Sequence, residues 1–296
     1  MGGLKILLFN KKFFIILLTP HMSMIPTIKL NSGNKMPVLG LGTWQMQGNR
    51  CKEAVKTAIE MGYTHIDTAW IYENQKEIGQ ALKEINANRT KLFITSKVWR
   101  TALSYDDLLA QCEETLKDLR TSYLDLYLVH WPNPEVPIKD TMRALKKLND
   151  DGKVKNVGVS NFNIRLLKEA LRNTRVPISV NQVEYHAHLN QENLLKFCMD
   201  NDIVVTAYSP LARGSLLKDQ VISSIAKKHK KTNSQVALRW LLQKGLVVIP
   251  KASSGEHIKA NMDIFNWSLG EEDMGKINSI GKKERLIDPG FADFDD

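Results

Sequence analysis

The chain has 296 residues and a formal net charge of +9, and its composition is typical of a soluble globular protein. That length suits one large α/β domain or two smaller ones. The basic residues are scattered, and the densest group, residues 227–231, predicts a solvated helix face rather than a nucleic-acid surface. We therefore predict no nucleic-acid partner. The positive net charge also suits a small anionic ligand.

The first 23 residues differ from the rest of the chain. Their longest apolar run, residues 13–18, covers six positions, and Asn10, Lys11 and Lys12 interrupt the hydrophobicity before it. Both a secretory signal and a membrane-spanning helix need longer runs, and no small-residue cleavage site follows. We interpret residues 1–23 as an extension with a non-native or mis-called start, in preference to a targeting segment. We expect one domain over residues 24–296 and no membrane association.

Beyond residue 26 the pattern becomes regular. Residues 27–39 predict two short strands around a turn, that is, an N-terminal β-hairpin. Short apolar runs then alternate with longer amphipathic stretches such as 104–119, where Ser104 is a suitable N-cap. The eight runs are residues 38–42, 64–67, 92–98, 124–130, 156–161, 178–185, 203–208 and 246–250.

Eight strand–helix repeats predict an α/β fold of the (β/α)8 TIM barrel type. The alternative is a doubly wound sheet, which usually has a GxGxxG motif after its first strand. Gly40 and Gly42 supply only half of that motif, because Thr43 and Trp44 follow where another glycine and a helix are needed. We favour the barrel, with the C-terminal tail, residues 282–296, over its active-site face.

The three cysteines Cys51, Cys112 and Cys198 are far apart, and no CxxC motif occurs. An odd number of cysteines without short spacing fits a reduced compartment. We therefore predict a cytoplasmic protein.

Polar side chains stand at or just after the ends of successive predicted strands. Asp67, Lys97, His130 and Ser160 are separated by 30, 33 and 30 residues, about one βα unit each. Because chemistry in such barrels collects at the carboxyl ends of the strands, we expect these side chains to converge. Each of these residues alone is more simply explained as a core or surface residue. Four polar residues at equivalent positions of successive βα units, however, argue for a functional site.

Together with Tyr72, which follows Asp67 by five residues, these groups are suited to reducing a carbonyl. A lysine beside a tyrosine favours the phenolate, so we expect Lys97 to lower the pKa of Tyr72. Tyr72 could then donate a proton to a developing alkoxide, and His130 could polarise the carbonyl oxygen. No side chain supplies hydride, which implies a nicotinamide cofactor. Its carboxamide could be bound by Ser160, Asn161 and Gln182, and its ring could stack on Tyr208.

The chain resembles the aldo-keto reductase superfamily, and most closely the bacterial and archaeal members similar to 2,5-diketogluconate reductases. The resemblance runs from about Thr27 to Phe294. It is carried by "GLGTW", "GYTHIDTAWIYENQKEIGQAL", "ITSKVW", "LYLVHWP", "GVSNF", "NQVEYH", "AYSPLARG" and "VIPKASSGEHIKAN".

The resemblance implies a catalytic tetrad of Asp67, Tyr72, Lys97 and His130, and a substrate pocket walled by Trp44, Trp99 and Trp131. It implies NADPH as cofactor, a small-molecule carbonyl substrate and a monomer. The implied cofactor contacts are Thr43, Ser160, Asn161, Gln182, Tyr208, Ser209, Leu211, Lys251, Ser253, His257 and Asn261.

Two departures from the family pattern have consequences. His257 stands where many relatives have an arginine, and histidine offers fewer donors and less permanent charge for the adenosine 2′-phosphate. We therefore predict weakened discrimination against NADH, with a preference below about a thousandfold, roughly 4 kcal/mol. His186 and His188 form an HxH pair, but no further ligand set is visible at the other strand ends, so we predict no metal.

Two other functions compete with carbonyl reduction. Lys97 could form a Schiff base in an aldolase, since such barrels also present a lysine at a strand end. The chain could also bind a cofactor without catalysis, although the complete set of four residues argues against this.

Overall fold

The structure is a computed structural model that describes residues 6–9, 13–16 and 25–294. Strand β1 (Ile6–Phe9) pairs antiparallel with β2 (Phe13–Ile16). The rest of the predicted N-terminal extension lies outside the described residues. Its interpretation as a non-native start, like the single domain over residues 24–296, stays a prediction.

Eight parallel strands form the central sheet, and strands that are consecutive in the chain are neighbours in the sheet. Two bridges, Leu39 with Val248 and Gly42 with Lys251, join the first and last strands and close the barrel. The predicted (β/α)8 fold is therefore confirmed. The strands are β5 (Leu41–Gly42), β6 (His65–Asp67), β7 (Phe93–Val98), β8 (Leu126–Val129), β9 (Val157–Ser160), β10 (Ile178–Glu184), β11 (Val204–Tyr208) and β12 (Val247–Val248).

The paired glycines of the first barrel strand belong to this closure. A Cβ on Gly42 would lie 2.5 Å from the carbonyl oxygen of Ile249, and a Cβ on Gly40 would lie 2.5 Å from the His65 ring. Any side chain at these positions would push the first strand away from its neighbours. Gly40 and Gly42, which form half of a GxGxxG dinucleotide-binding motif, are thus explained by the close packing of strands.

Helices surround the barrel, and several of them begin with a side-chain N-cap. Ser104 accepts a hydrogen bond from Asp107 N, which confirms it as the N-cap of α3 (Tyr105–Asp118), and Thr232 forms a capping box with Gln235 at the start of α8 (Asn233–Gln243). The helices are α1 (Gly48–Glu60), α2 (Gln75–Glu84), α3 (Tyr105–Asp118), α4 (Ile138–Asp150), α5 (Ile164–Asn173), α6 (Glu192–Asp200), α7 (Gln220–His229), α8 (Asn233–Gln243), α9 (Gly255–Met262) and α10 (Glu271–Asn278). Short 3₁₀ helices are Trp70–Tyr72, Arg89–Lys91, Arg100–Ala102 and Ala212–Lys218.

The predicted N-terminal hairpin is present as β3 (Thr27–Lys29) paired antiparallel with β4 (Lys35–Pro37). The turn of this hairpin contacts the start of β10, where the Asn31 amide donates a hydrogen bond to the Ile178 carbonyl at 2.9 Å. The hairpin thereby covers the amino-terminal end of the barrel, so that chemistry is left to the opposite end.

The C-terminal tail crosses the opposite, carboxyl end, as predicted. The buried carboxylate of Glu184 accepts hydrogen bonds from the backbone N–H groups of Leu286 and Ile287, at 2.8 and 2.9 Å. Further along, the Phe291 ring meets the Trp131 ring edge-on, with centroids 5.6 Å apart. The Glu184 carboxylate therefore anchors the tail, which carries an aromatic side chain to the mouth of the barrel.

The three cysteines are free and buried. Burial is the main cause that raises the pKa of Cys51, Cys112 and Cys198 to about 12 in each case. Thiolate chemistry is accordingly suppressed at neutral pH. Across the described residues, each helix falls short of the length and apolar character needed to span a membrane.

Candidate active site

A buried ion pair lies at the carboxyl end of strands β6 and β7. Asp67 pairs in register with Thr95, and side chains two residues apart share a face, so Lys97 points to the same side as Asp67. The Lys97 Nζ lies 2.6 Å from Asp67 Oδ1 and donates a second hydrogen bond to the Thr68 carbonyl at 2.9 Å. Lys97 is fully buried and Asp67 is 2% exposed. Neither charge would be stable there without the other.

Tyr72 and His130 complete the cluster. Tyr72 ends the short helix Trp70–Tyr72 that follows β6, and its ring centroid lies 5.0 Å from the Lys97 Nζ. His130 follows β8, and its ring meets that of Tyr72 edge-on with centroids 5.5 Å apart. Asp67, Lys97 and His130, predicted from their strand-end positions, thus lie together with Tyr72 at one end of the barrel.

The expectation that Lys97 lowers the pKa of Tyr72 is wrong. Burial, and then the Asp67 carboxylate, raise the pKa of Tyr72 well above its ordinary value, although the side chain as a whole is only half-buried. Lys97 is paired with Asp67, and the cost of burying a phenolate outweighs the effect of the ammonium on the phenol. Tyr72 therefore keeps its proton at neutral pH.

His130 is held neutral. Burial, followed by the nearby Lys97 ammonium, lowers the pKa of His130 well below its ordinary value. Its Nδ1 atom is buried and has no hydrogen-bond partner among the described residues. A neutral imidazole still carries one N–H donor, which is the form that can hold a carbonyl oxygen without giving up a proton.

Polar side chains from three further strands form a network beside the cluster. The Asn161 amide donates to the His130 carbonyl at 2.9 Å, and the Tyr208 hydroxyl donates to Asn161 Oδ1 at 2.8 Å. The Ser160 hydroxyl donates to the Gln182 carbonyl at 2.8 Å. These bonds fix Asn161, whose φ of 62° lies in the left-handed region that asparagine tolerates.

Gln182 has a contact that sequence reasoning missed. Its Nε2 donates to Asp67 Oδ2 at 2.7 Å, so it holds the oxygen that Lys97 does not use. On the other side, the Thr43 hydroxyl donates to the Asp67 carbonyl at 2.9 Å. The equal phase of Gln182 and Asp67 at their strand ends could have indicated this contact, because a closed barrel brings non-adjacent strands within reach across its interior.

The three predicted pocket tryptophans differ in their surroundings. Trp99 meets the His130 ring edge-on at 5.3 Å, and Trp131 is buried beneath Phe291. Trp44 is 37% exposed and lies under the Arg213 guanidinium, 4.6 Å from the ring centroid. Phe291 was not predicted, because no repeat or spacing in the sequence relates the position of the tail to that of the strands.

The remaining predicted cofactor contacts follow the last two barrel strands. Ser209 has a φ of 47°, and the left-handed conformation recurs at Ala212, Arg213 and Gly214 beyond Leu211. After β12, Lys251 is exposed and Ser253 is half-buried. His257 is exposed on α9, whereas Asn261 on the same helix is buried. These residues lie in loops and a helix at the same end of the barrel as the cluster.

The HxH pair has structural partners. His186 Nε2 lies 2.9 Å from Glu184 Oε1, and His188 Nε2 lies 2.9 Å from Asp219 Oδ2. Within residues 25–294, the structure contains no group of three His, Cys, Asp or Glu side chains arranged to hold a metal ion. Each histidine instead contacts a carboxylate: Glu184 also binds the tail, and Asp219 caps α7.

Known proteins share this fold and these motifs. The model of the aldo/keto reductase family matches residues 38–282. Glyoxal reductase from Bacillus subtilis is 46% identical over 265 residues, which cover 89% of this chain and 96% of the relative. Aldose reductase from Schistosoma japonicum has a solved structure that superposes with a TM-score of 0.84 at 39% identity, covering 88% of this chain and 93% of that one.

A solved structure that carries the name 2,5-diketo-D-gluconic acid reductase B superposes with a TM-score of 0.87 at 34% identity, and covers 90% of this chain and 96% of that one. The family model and these relatives span nearly all of the barrel. The resemblance read from the motifs is therefore confirmed, and the chain belongs to the aldo/keto reductase family, whose members are oxidoreductases.

Proposed function

We propose that the protein reduces aldehydes or ketones to alcohols with NADPH, and that Tyr72 is the proton donor. The observation that carries the proposal is the buried Asp67–Lys97 pair beneath a protonated Tyr72, with neutral His130 edge-on to the phenol. This arrangement sets a donor beside a polarising group at the mouth of a barrel, as carbonyl reduction requires.

Each residue would have a distinct task. Tyr72 would give its proton to the carbonyl oxygen as negative charge develops there. Lys97 would stabilise the tyrosinate that remains, and Asp67 with Gln182 would hold Lys97 in place. His130 would orient the carbonyl oxygen through its N–H. A positioned donor of this kind contributes roughly a hundredfold to ten-thousandfold in rate.

The protein surface fits a phosphorylated dinucleotide. The loop from Ser209 to Gly214 contains four left-handed residues, a backbone form that recurs at phosphate sites, although the N–H groups of Ala212 and Gly214 are bonded within the loop itself. Beyond β12, no carboxylate among residues 25–294 forms an ion pair with Lys251 or His257. A bound nicotinamide would supply the hydride.

The half-buried Tyr208 ring, whose hydroxyl is fixed by Asn161, would offer a face for stacking. Ser160, Asn161 and Gln182 are held by their own hydrogen bonds beside it and stay our proposed contacts to the carboxamide. Thr43, Leu211 and Asn261 also stay proposed cofactor contacts, because they follow barrel strands at the same end as the cluster.

The Schiff-base alternative is disfavoured by the contacts of Lys97. Two of its three N–H donors are used by Asp67 and the Thr68 carbonyl, and the amine is fully buried. A covalent bond to substrate would break both contacts. Borohydride treatment with substrate should therefore leave Lys97 unmodified.

A panel of carbonyl compounds assayed with NADPH and with NADH tests the proposal. Small dicarbonyls such as glyoxal belong in it, because the glyoxal reductase of Bacillus subtilis is a relative at 46% identity. Aromatic aldehydes belong in it because Trp44, Trp99 and Phe291 line the mouth. We expect loss of absorbance at the nicotinamide band with at least one class. A panel without turnover on either cofactor would contradict carbonyl reduction.

The pH dependence of kcat/KM for reduction provides another check. A proton donor is active below its pKa and loses activity as the pH rises through it. Because the pKa of Tyr72 is raised and that of His130 is lowered, we expect a plateau from about pH 6.5 to about pH 10, the ordinary values of the two groups. An alkaline loss centred near pH 8 would mean that Tyr72 is more acidic than its burial implies.

A further inference from the structure

An arginine from the first barrel helix reaches the loop that follows the last barrel strand. The Nη2 atom of Arg50 donates to the Ser253 hydroxyl at 2.7 Å, although the two residues are 203 positions apart in the chain. Arg50 lies in the first turn of α1, and Ser253 lies two residues after Lys251 and four before His257. The chain therefore has a guanidinium close to the start of α9, where position 257 lacks one.

The packing of α1 against α9 explains this contact. A Cβ on Gly255 would lie 3.4 Å from the Met61 side chain and 3.7 Å from that of Thr57, so the two helices are in close contact. The Tyr63 hydroxyl also donates to the Ile258 carbonyl at 3.1 Å. Residues seven apart share a helix face, so Arg50 points to the same side as Thr57. The helix packing thus directs the guanidinium to the start of α9.

The charges in this region are unbalanced. Within residues 25–294, Arg50, Lys251 and His257 form no ion pair, and Glu256, the acidic residue in the first turn of α9, is paired with none of them. Burial, and then the Arg50 guanidinium, lower the pKa of Lys251, as expected for neighbouring like charges.

Another part of α1 shows the contrast. Lys52 and Lys56 both bond Glu84 of α2, at 3.0 and 3.3 Å. These two half-buried lysines thus have a carboxylate partner, whereas the exposed Arg50 has only a neutral hydroxyl. Uncompensated positive charge is what an anionic group would meet here.

We propose that Arg50 is the residue that selects NADPH over NADH, by binding the adenosine 2′-phosphate together with Lys251 and Ser253. This inference rests on the proposed function and names the origin of its cofactor preference. A guanidinium presents paired donors that match phosphate oxygens, and it stays charged at any physiological pH. The Ser253 hydroxyl holds the side chain in place before the phosphate binds. The arginine missing at position 257 is replaced in space by one from α1.

The test compares Arg50→Gln, which removes the charge, with Arg50→Lys, which keeps the charge and loses the fork. Lys52→Gln is the matched control, because it removes the same charge two residues away. Dissociation constants for NADPH, NADH, adenosine 2′,5′-bisphosphate and 5′-AMP are measured by fluorescence quenching or calorimetry. We expect Arg50→Gln to weaken binding of NADPH and the 2′,5′-bisphosphate at least tenfold, and binding of NADH and 5′-AMP less than twofold.

Arg50→Lys should fall between the native protein and Arg50→Gln, and Lys52→Gln should bind all four nucleotides as the native protein does. The inference is overturned if Arg50→Gln binds NADPH with native affinity, or weakens NADPH and NADH by the same factor. It is also overturned if Lys52→Gln reproduces the effect, since net charge alone would then be the cause. If the native protein binds neither NADPH nor NADH, the proposed function itself is contradicted. If the native protein binds both, and Arg50→Gln leaves the ratio of the two dissociation constants unchanged, only the role of Arg50 is contradicted.

Discussion

Tyr72→Phe is expected to lower kcat for carbonyl reduction at least a hundredfold, because it removes a positioned proton donor. The dissociation constant of the cofactor should change by less than about twofold. The substitution removes only the hydroxyl. The ring keeps its position over the Lys97 Nζ and against His130, because those contacts are made by the aromatic face and edge. Steady-state kinetics and fluorescence quenching by NADPH measure the two effects.

A matched control for this substitution is Tyr105→Phe. Tyr105 opens α3 on the outside of the barrel, where its ring lies under the Arg143 guanidinium. The same loss of one hydroxyl there should leave kcat unchanged. If Tyr72→Phe retained turnover with unaltered kcat, the proton would have to come from another group, and the assignment of Tyr72 would be wrong.

Lys97→Met is expected to abolish turnover and to destabilise the fold by about 3–5 kcal/mol, the cost of leaving one partner of a buried pair uncompensated. Both side chains are almost completely inaccessible, and the Asp67 carboxylate would retain only the Gln182 amide as a side-chain donor. Chemical denaturation gives the free energy of unfolding, and single-turnover kinetics give the rate.

The double variant Asp67→Asn with Lys97→Met separates the two effects. It removes both charges, so most of the lost stability should return, because an uncharged pair carries no unmet desolvation cost. Activity should not return, because the ammonium that stabilises the tyrosinate is still missing. If the double variant regained activity, Lys97 would act in folding alone. Unchanged stability in Lys97→Met would mean that Asp67 is not charged in the native protein.

The residues of the cluster could be predicted because of the periodicity of the fold. In a parallel barrel each strand ends at the same face, so Asp67, Lys97 and His130 could be placed together from their spacing of about one βα unit. Tyr72 follows Asp67 so closely that its position was constrained as well. The hairpin at residues 27–39 and the N-cap at Ser104 depend on local sequence and were likewise predictable.

The electrostatic state of the cluster was not predictable in this way. The sequence shows that a lysine and a tyrosine lie near each other, but the pKa of Tyr72 depends on how far each charge is buried and which charges cancel. Lys97 is paired with Asp67 at 2.6 Å, and burial of the phenol outweighs the effect that the ammonium was expected to have. A pKa is a difference between two solvation energies, and those are properties of the packed molecule.

By itself, the sequence determined the barrel, the order of its strands, and the placement of Asp67, Lys97 and His130 at strand ends, because hydrophobic periodicity and strand direction are local properties that repeat along the chain. Only the tertiary structure decided which distant residues complete the site. Phe291 reaches the mouth because Glu184 holds the tail, and Arg50 reaches Ser253 because α1 packs on α9. Contacts between segments a hundred or more residues apart arise from helix packing and barrel closure, and no short stretch of sequence encodes them.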